Sequence, residues 1–234
     1  MKTNPGASMN KNNQISLFDS NNKTILLCMI VLISMAAMFC LVSCAESPHK
    51  AQKANQASPY LVEAEGKYGS GTHHAIIHMK DLGDIEFELN ANEAPITVSN
   101  FARLVDQGFY NGLTFHRIIK GFMIQGGDPL GNGTGGSDQN IKGEFSANGV
   151  ANHIPHNRGV ISMARSADLN SASSQFFICH DEAPSLNGQY AAFGHVISGM
   201  DVVDAIAQDT PVLDKNGKVA PENQPVIESI EMID

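Results

Sequence analysis

Basic residues are few. Fifteen lysines and arginines stand against 24 acidic residues, a formal net charge of −9 over 234 residues. Three of the basic ones, Lys2, Lys11 and Lys23, and one acid, Asp19, precede Cys44, so from Cys44 onward 12 basic residues face 23 acidic ones. Such a surface argues against general nucleic-acid binding, which depends on neutralising phosphates. Cysteine is scarce as well: Cys28, Cys40 and Cys44 lie in the first 44 residues and Cys179 stands alone beyond them. That excludes an intramolecular disulfide and a cysteine-based zinc site in the remainder. Tryptophan is absent. What is present, 42% apolar and 17% charged residues, suits a packed core and excludes wholesale disorder.

Residues 1–23 are polar, rich in Asn and nearly free of acid, and end in Lys23; residues 24–43 then carry no charge at all. This is a secretory pattern, although the apolar run is near the length of a bilayer span, so a retained anchor helix competes with cleavage. The run ends in Leu41-Val42-Ser43-Cys44, which resembles the lipobox of bacterial lipoprotein signal peptides. The resemblance implies a signal peptide over 1–43, lipid attached to Cys44, and a domain held outside the cytoplasm at a membrane surface. Residues 44–71, rich in Ala, Gln, Ser, Lys and Glu, read as a flexible tether, with a short helix conceivable over 61–67.

From Thr72 short apolar runs alternate with Gly, Asn and Asp. Strands are expected over 74–79, 84–89, 113–119, 122–125, 159–164, 176–179, 192–197 and 226–232, the first two joined by a turn at Asp81-Leu82-Gly83. Pro95 opens a helix on which Val98, Phe101, Ala102 and Val105 recur at helical spacing until Gly108, and a second helix fits 200–207. About eight strands and two helices suggest an antiparallel barrel closed off by helices.

Two runs carry candidate chemistry. Residues 115–127 read FHRIIKGFMIQGG and set one arginine among large apolar side chains. Phe115, Arg117 and Ile119 share a strand face, as do Met123 and Gln125 on the next strand. Alone, Arg117 reads first as half of a structural ion pair. In Ser173 to Cys179, SSQFFIC, alternation sends Gln175 and Phe177 to one face and Phe176 and Ile178 to the other, so one set serves the core and the other a site. His116, beside Arg117, should point to the opposite face and make a structural hydrogen bond. The histidines at 73, 74, 78, 153 and 156 lack a helical HExxH arrangement or a carboxylate at ligand spacing, so no metal is expected. Gly126 to Gly136 lacks the ending of a phosphate-binding loop and reads as a flexible loop, and Asp214-Lys215-Asn216-Gly217 reads as a turn.

The segments FYNGLTFHRIIKGFMIQGGDP, GVISMAR, NSASSQFFI and AAFGHVISGMDVVDAI, in this order, resemble the cyclophilin family of peptidyl-prolyl cis-trans isomerases, from about Thr72 to the C-terminus. The resemblance implies a mainly β fold, a closed eight-stranded antiparallel barrel capped by two α-helices over 72–234. It implies a groove on the outer face in which Arg117 is catalytic and Phe122, Met123 and Phe177 wall a proline pocket closed by Leu186. Gln125 would be the neighbouring polar contact, Gln175 would line the groove, and Ala164 would lend its backbone to a bound peptide. Arg165 and Tyr190 stand at substrate-binding positions where other members carry asparagine and histidine. Ser185 replaces an aromatic, which counts against tight cyclosporin binding. The partners implied are proline-containing polypeptides, and a monomer is expected. Rotation about an X-Pro bond breaks no bond, so no nucleophile, metal or cofactor is required; a catalyst need only favour the twisted amide. Function as a proline-segment-binding chaperone, with incidental turnover, is the alternative.

Overall fold

The computed structural model describes residues 60–61 and 63–234. The apolar run, the lipobox with Cys44 and most of the expected tether therefore lie outside the described residues.

Strict alternation builds the first hairpin. Strand β2 (Thr72–Met79) turns His73, Ala75, Ile77 and Met79 inward, and β3 (Gly83–Asn90) does the same with Ile85, Phe87 and Leu89. The two pair in continuous antiparallel register from Thr72 with Asn90 to Met79 with Gly83. The turn between them needs left-handed backbone at Asp81 (φ 63°) and Gly83 (φ 107°). Helix α1 (Pro95–Asp106) follows; proline suits its first turn, but Ala94 supplies no side-chain cap. The cap comes from far along the chain: the buried Glu144 carboxylate accepts the N–H groups of Ile96 (3.0 Å) and Thr97 (2.8 Å) and the Thr97 hydroxyl (2.7 Å).

Strands β4 (Phe115–Ile119), β5 (Met123–Gly126), β7 (Val160–Met163), β8 (Phe176–Cys179), β9 (Ala192–Ser198) and β10 (Ile227–Met232) complete an eight-stranded sheet of order β10-β2-β3-β9-β7-β8-β5-β4, antiparallel throughout. Helix α2 (Met200–Asp209) follows β9 through Gly199, at φ 88°, where a Cβ would sit 2.1 Å from the Asp84 carbonyl oxygen. One face of the curled sheet encloses the main core, with Phe87, Phe101, Tyr110, Phe115, Phe176 and Phe193 fully buried.

The expected closure does not occur: the sheet is a curled, open half-barrel. Its edge strands β4 and β10 form no ladder and touch only at their N-terminal ends, through the bridge of Thr114 with Val226 and bonds such as Phe115 N–H to the Pro225 carbonyl (3.0 Å). Two causes are visible. Pro225 has no N–H to extend the pairing. The rest of the β4 edge is taken by residues 217–219: Ile118 N–H donates to Gly217 O (2.8 Å) and Val219 N–H to His116 O (3.0 Å).

The end of the expected tether is also built into the fold. Strand β1 (Tyr60–Leu61) pairs in parallel with β6 (Asn140–Ile141), Leu61 and Ala64 pack on the main core, and Tyr68 is buried. The helix conceivable over 61–67 does not form among the described residues: Leu61 ends β1, and a 3₁₀ turn begins only at Lys67, running to Gly69. Burying these few apolar side chains offsets the entropy of holding the segment down.

Candidate active site

The outer face of the sheet carries a second, smaller apolar cluster: Met123, Val160, Phe177, Cys179, Ala183 and Ala192, with Phe122, Leu186 and Tyr190 only partly covered. It exists because each strand turns alternate residues outward. A row of partners, Arg117 with Gln125, Gln125 with Phe177, and Phe177 with Ser162, crosses β4, β5, β8 and β7. Phe115 does not share a face with Arg117 and Ile119 as alternation predicts: a bulge between Phe115 and Arg117 leaves Phe115 in the main core and sets the arginine into that row. Beside it opens a cavity of about 210 Å³. Phe122, Met123, Phe177 and Leu186 wall it, Arg117 and Gln125 stand at one side, and Ala164, Arg165 and Tyr190 at the other. Gln175 does not reach this cavity; it lines a neighbouring one of about 370 Å³ that shares Gln125, Ala164 and Arg165.

Arg117 donates Nε–H to the Asn216 carbonyl (2.9 Å) and Nη1–H to Gln125 Oε1 (3.1 Å), with Met123 Sδ at 3.7 Å. Among the described residues no carboxylate forms an ion pair with it. Burial lowers its pKa, against the pull of Tyr190 and Asp214, and a guanidinium still keeps its charge. Because arginine only donates, Gln125 must turn its oxygen toward Arg117 and its nitrogen outward. That nitrogen donates to Gln175 Oε1 (2.9 Å), and Gln175 Nε2 donates to the Gly135 carbonyl (2.8 Å). The cation thus orients a chain of amides in one direction, and among the described residues its Nη2 has no acceptor.

The remaining expected residues take various places. Phe177, 4% exposed, lies between His156, stacked at 5.9 Å, and Tyr190, edge-on at 5.8 Å. The Ala164 N–H is taken by the Gln175 carbonyl (2.9 Å), so what Ala164 offers a peptide is its carbonyl, which has no donor among the described residues. Arg165 is a brace. Its guanidinium stacks over Phe145 (5.1 Å) and Tyr190 (4.7 Å), donates to the Gln189 carbonyl from Nε (3.2 Å) and Nη2 (2.9 Å), and reaches the Ser166 carbonyl from Nη1 (2.8 Å). His116 departs from expectation. It points into the buried side, but neither ring nitrogen has a hydrogen-bond partner among the described residues, and burial lowers its pKa. Cys179, buried beside Met123 as its cross-strand partner with its thiol pushed up to about 12, offers no nucleophile.

Sequence reasoning missed two supports. Asn216 lies in the segment read only as a turn. Gly217, at φ 80°, presses that turn so close to β4 that a Cβ would sit 2.2 Å from the Ile118 carbonyl oxygen, and this contact brings the Asn216 carbonyl onto Arg117. The bare Asn-Gly pair was the available signal. His156 backs Phe177, held by Ser162 Oγ (3.0 Å) and Asn187 Oδ1 (3.1 Å), and no pattern in the sequence announces it.

An open eight-stranded antiparallel half-barrel with two helices, bearing an arginine-edged apolar cleft on its outer face, defines a cyclophilin fold. The comparisons agree. A model of the family described as cyclophilin type peptidyl-prolyl cis-trans isomerase/CLD matches residues 74–232. A probable peptidyl-prolyl cis-trans isomerase of Brucella suis is 43% identical over 168 residues, covering 67% of this chain and 81% of that one. Peptidyl-prolyl cis-trans isomerase B of Bacillus subtilis is 48% identical over 123 residues, covering 53% and 82%. The crystal structure of a Cryptosporidium parvum cyclophilin type peptidyl-prolyl cis-trans isomerase superposes with a TM-score of 0.62 at 33% identity, covering 70% of this chain and 99% of that one; the same protein has been solved in the presence of the dipeptide Ala-Pro. The chain belongs to the cyclophilin-type peptidyl-prolyl cis-trans isomerases.

Proposed function

We propose that the 210 Å³ cavity holds the proline ring of an X-Pro segment and that Arg117 is the catalytic residue. The barrier to rotation, about 18–20 kcal/mol for a peptide bond, comes from amide resonance. Twisting removes that conjugation and leaves the proline nitrogen with an available lone pair, which a guanidinium N–H can meet. Such a bond is strong only in the twisted state, so it lowers the barrier instead of merely tightening binding. Each tenfold acceleration takes about 1.4 kcal/mol, so a 10⁵-fold effect needs roughly 7 kcal/mol, within reach of one charge-assisted bond in a partly dry cleft plus orientation.

The observation that carries this reading is the way Arg117 is held: fixed through Nε and Nη1 by Asn216 and Gln125, unpaired with any acid, at the edge of an apolar slot. The Ala164 carbonyl on the opposite rim suits a peptide backbone N–H. The Ala-Pro dipeptide used with the Cryptosporidium protein is of the chemical class proposed here. Arg117→Ala is expected to lower kcat/KM for an Ala-Pro peptide about 10²–10³-fold while peptide binding persists. Unchanged turnover would leave a proline-segment-binding module as the better reading.

The setting proposed is extracytoplasmic, with clients folding outside the cytoplasm and the chain anchored through lipid on Cys44. The support is the uncharged run ending in Leu41-Val42-Ser43-Cys44, together with the principle that a single acyl chain anchors only marginally and two anchor firmly. Intact mass of membrane-extracted protein tests it: the expected mass begins at an acylated Cys44, and a terminus retaining Met1 overturns it.

A further inference from the structure

Outside the cleft, one cluster of titratable side chains makes no contact with the cavity yet holds one of its walls. Phe122 and Met123 follow a tight turn in which Phe122 N–H donates to Ile119 O (3.0 Å) and Gly121 takes φ 77°. A turn of this shape leaves the Gly121 N–H pointing outward with no backbone acceptor. Here it donates to His180 Nδ1 (3.1 Å). The same residue's own N–H donates to the Phe122 carbonyl (2.9 Å), joined by Asp181 N–H (3.4 Å). Both backbone groups that the turn presents to the end of β8 are therefore held by the segment at His180.

The ring is set from behind. An Nδ1 that accepts requires the proton on Nε2, and Nε2 lies 3.3 Å from Asp204 Oδ1 on α2. Both atoms are buried and have no better partner among the described residues, and the pair lacks full hydrogen-bond geometry, so its attraction is that of a dipole facing a charge. Asp204 is fixed in turn by Arg158, which donates Nη2–H to Asp204 Oδ2 (2.8 Å) and Nη1–H to the His180 carbonyl (2.6 Å). The ring is caught between the turn in front and the helix behind, with the arginine tying its backbone to its carboxylate.

Resting on the reading of the cavity as the proline pocket, we propose that His180 is a positioning residue for that pocket. It clamps the Gly121–Phe122 turn, and through it the Phe122 and Met123 wall, with Asp204 and Arg158 as its brace. A purely structural role predicts a different balance of effects. Gly121 is exposed, so its N–H can exchange histidine for water with little change in stability, whereas a wall that drifts by a fraction of an ångström loosens the grip on the ring.

The test uses the full chain and an Ala-Pro peptide. His180→Ala is expected to raise KM about fivefold to tenfold, with kcat changed by less than about twofold and the melting temperature by only a few degrees. His180→Asn, whose amide oxygen falls near the Nδ1 position, should return KM to within about twofold of the parent. His180→Gln, whose amide falls near Nε2, should not. Asp204→Asn, which keeps the ring but removes the charge behind it, should raise KM about twofold to threefold. Equal KM values for the Asn and Gln variants, or an unchanged KM for the Ala variant, overturn the proposal. Should the His180 variants fail to fold, hydrogen exchange of the Gly121 amide in the parent protein decides: exchange at the rate of a free amide overturns the clamp, and marked protection supports it. Absence of turnover in the parent protein would refute the isomerase reading, while Gly121 protection and peptide affinity would still report on the clamp.

Discussion

The two faces of the sheet make opposite use of the same residue type. Phe176 and Phe177 are neighbours in sequence and both scarcely exposed. Phe176 points inward among Phe101, Tyr110 and Phe115, with centroid separations of 5.9, 5.7 and 6.0 Å, all edge-on. Phe177 points outward into a smaller buried cluster flanked by partly covered side chains such as Phe122, Leu186 and Tyr190, beside a cation and a chain of amides. The inner face is complete without a partner; the outer face has apolar surface and an Nη2 donor still to be met. A dry aromatic cluster gives shape, and an incomplete one beside a fixed charge gives recognition.

The sharpest way to break that contrast is to truncate each phenylalanine in turn. Phe176→Ala should cost about 3–5 kcal/mol of stability, since it opens a cavity in a close-packed aromatic cluster. Phe177→Ala should cost about half as much in a denaturant titration but raise KM for an Ala-Pro peptide about tenfold. If the two variants lose stability equally and KM does not move, the outer cluster is merely a second core.

A smaller effect separates the fold's hidden polar support from the cleft. Glu144 is 2% exposed, and burial raises its pKa even though the amides and hydroxyl it accepts from pull the other way. Glu144→Ala leaves the Ile96 and Thr97 N–H groups unpaired in the interior, and should destabilise by about 2–3 kcal/mol in thermal or chemical unfolding. KM for the peptide should stay within about twofold of the parent, because α1 contributes no residue to the cavity.

Legibility in the sequence followed the range of the physics involved. Alternation is local, so β2, β3 and β8 lie where the pattern puts them, and Phe176 and Phe177 divide as it requires. The apolar walls and Arg117 were legible because a cation among large apolar side chains is conspicuous. Open against closed was not, because it turns on whether Pro225 interrupts a pairing and on residues 217–219 taking the β4 edge, contacts that join positions about a hundred apart. The expected hydrogen bond of His116 failed for a similar reason: alternation gives a direction, and it cannot supply a partner at the end of it. The docking of Tyr60 and Leu61 was hidden because two residues are too few to show a period.

The smallest effect concerns the loop beside the cleft. Asp128 accepts the N–H groups of Leu130 (2.8 Å), Asn132 (3.0 Å) and Gly133, which shapes the glycine-rich turn leading to Gly135, the end of the amide chain from Arg117. Burial alone would raise its pKa, but the three amides outweigh it and hold the carboxyl below its ordinary value. A carboxyl with a folded pKa lower than its unfolded one stabilises the fold above the unfolded value, near 3.9, and that contribution is lost as pH falls through the folded value. Stability followed by denaturant titration should therefore drop as pH falls below about 4, and Asp128→Asn should flatten that part of the profile while costing about 1 kcal/mol at pH 7. The same substitution should lower kcat/KM only about twofold, since Gln175 keeps its link to Gln125 even if Gly135 shifts. A loss as large as that of Arg117→Ala would mean that the loop, and not the strand row from Arg117 to Phe177, sets the position of the cation.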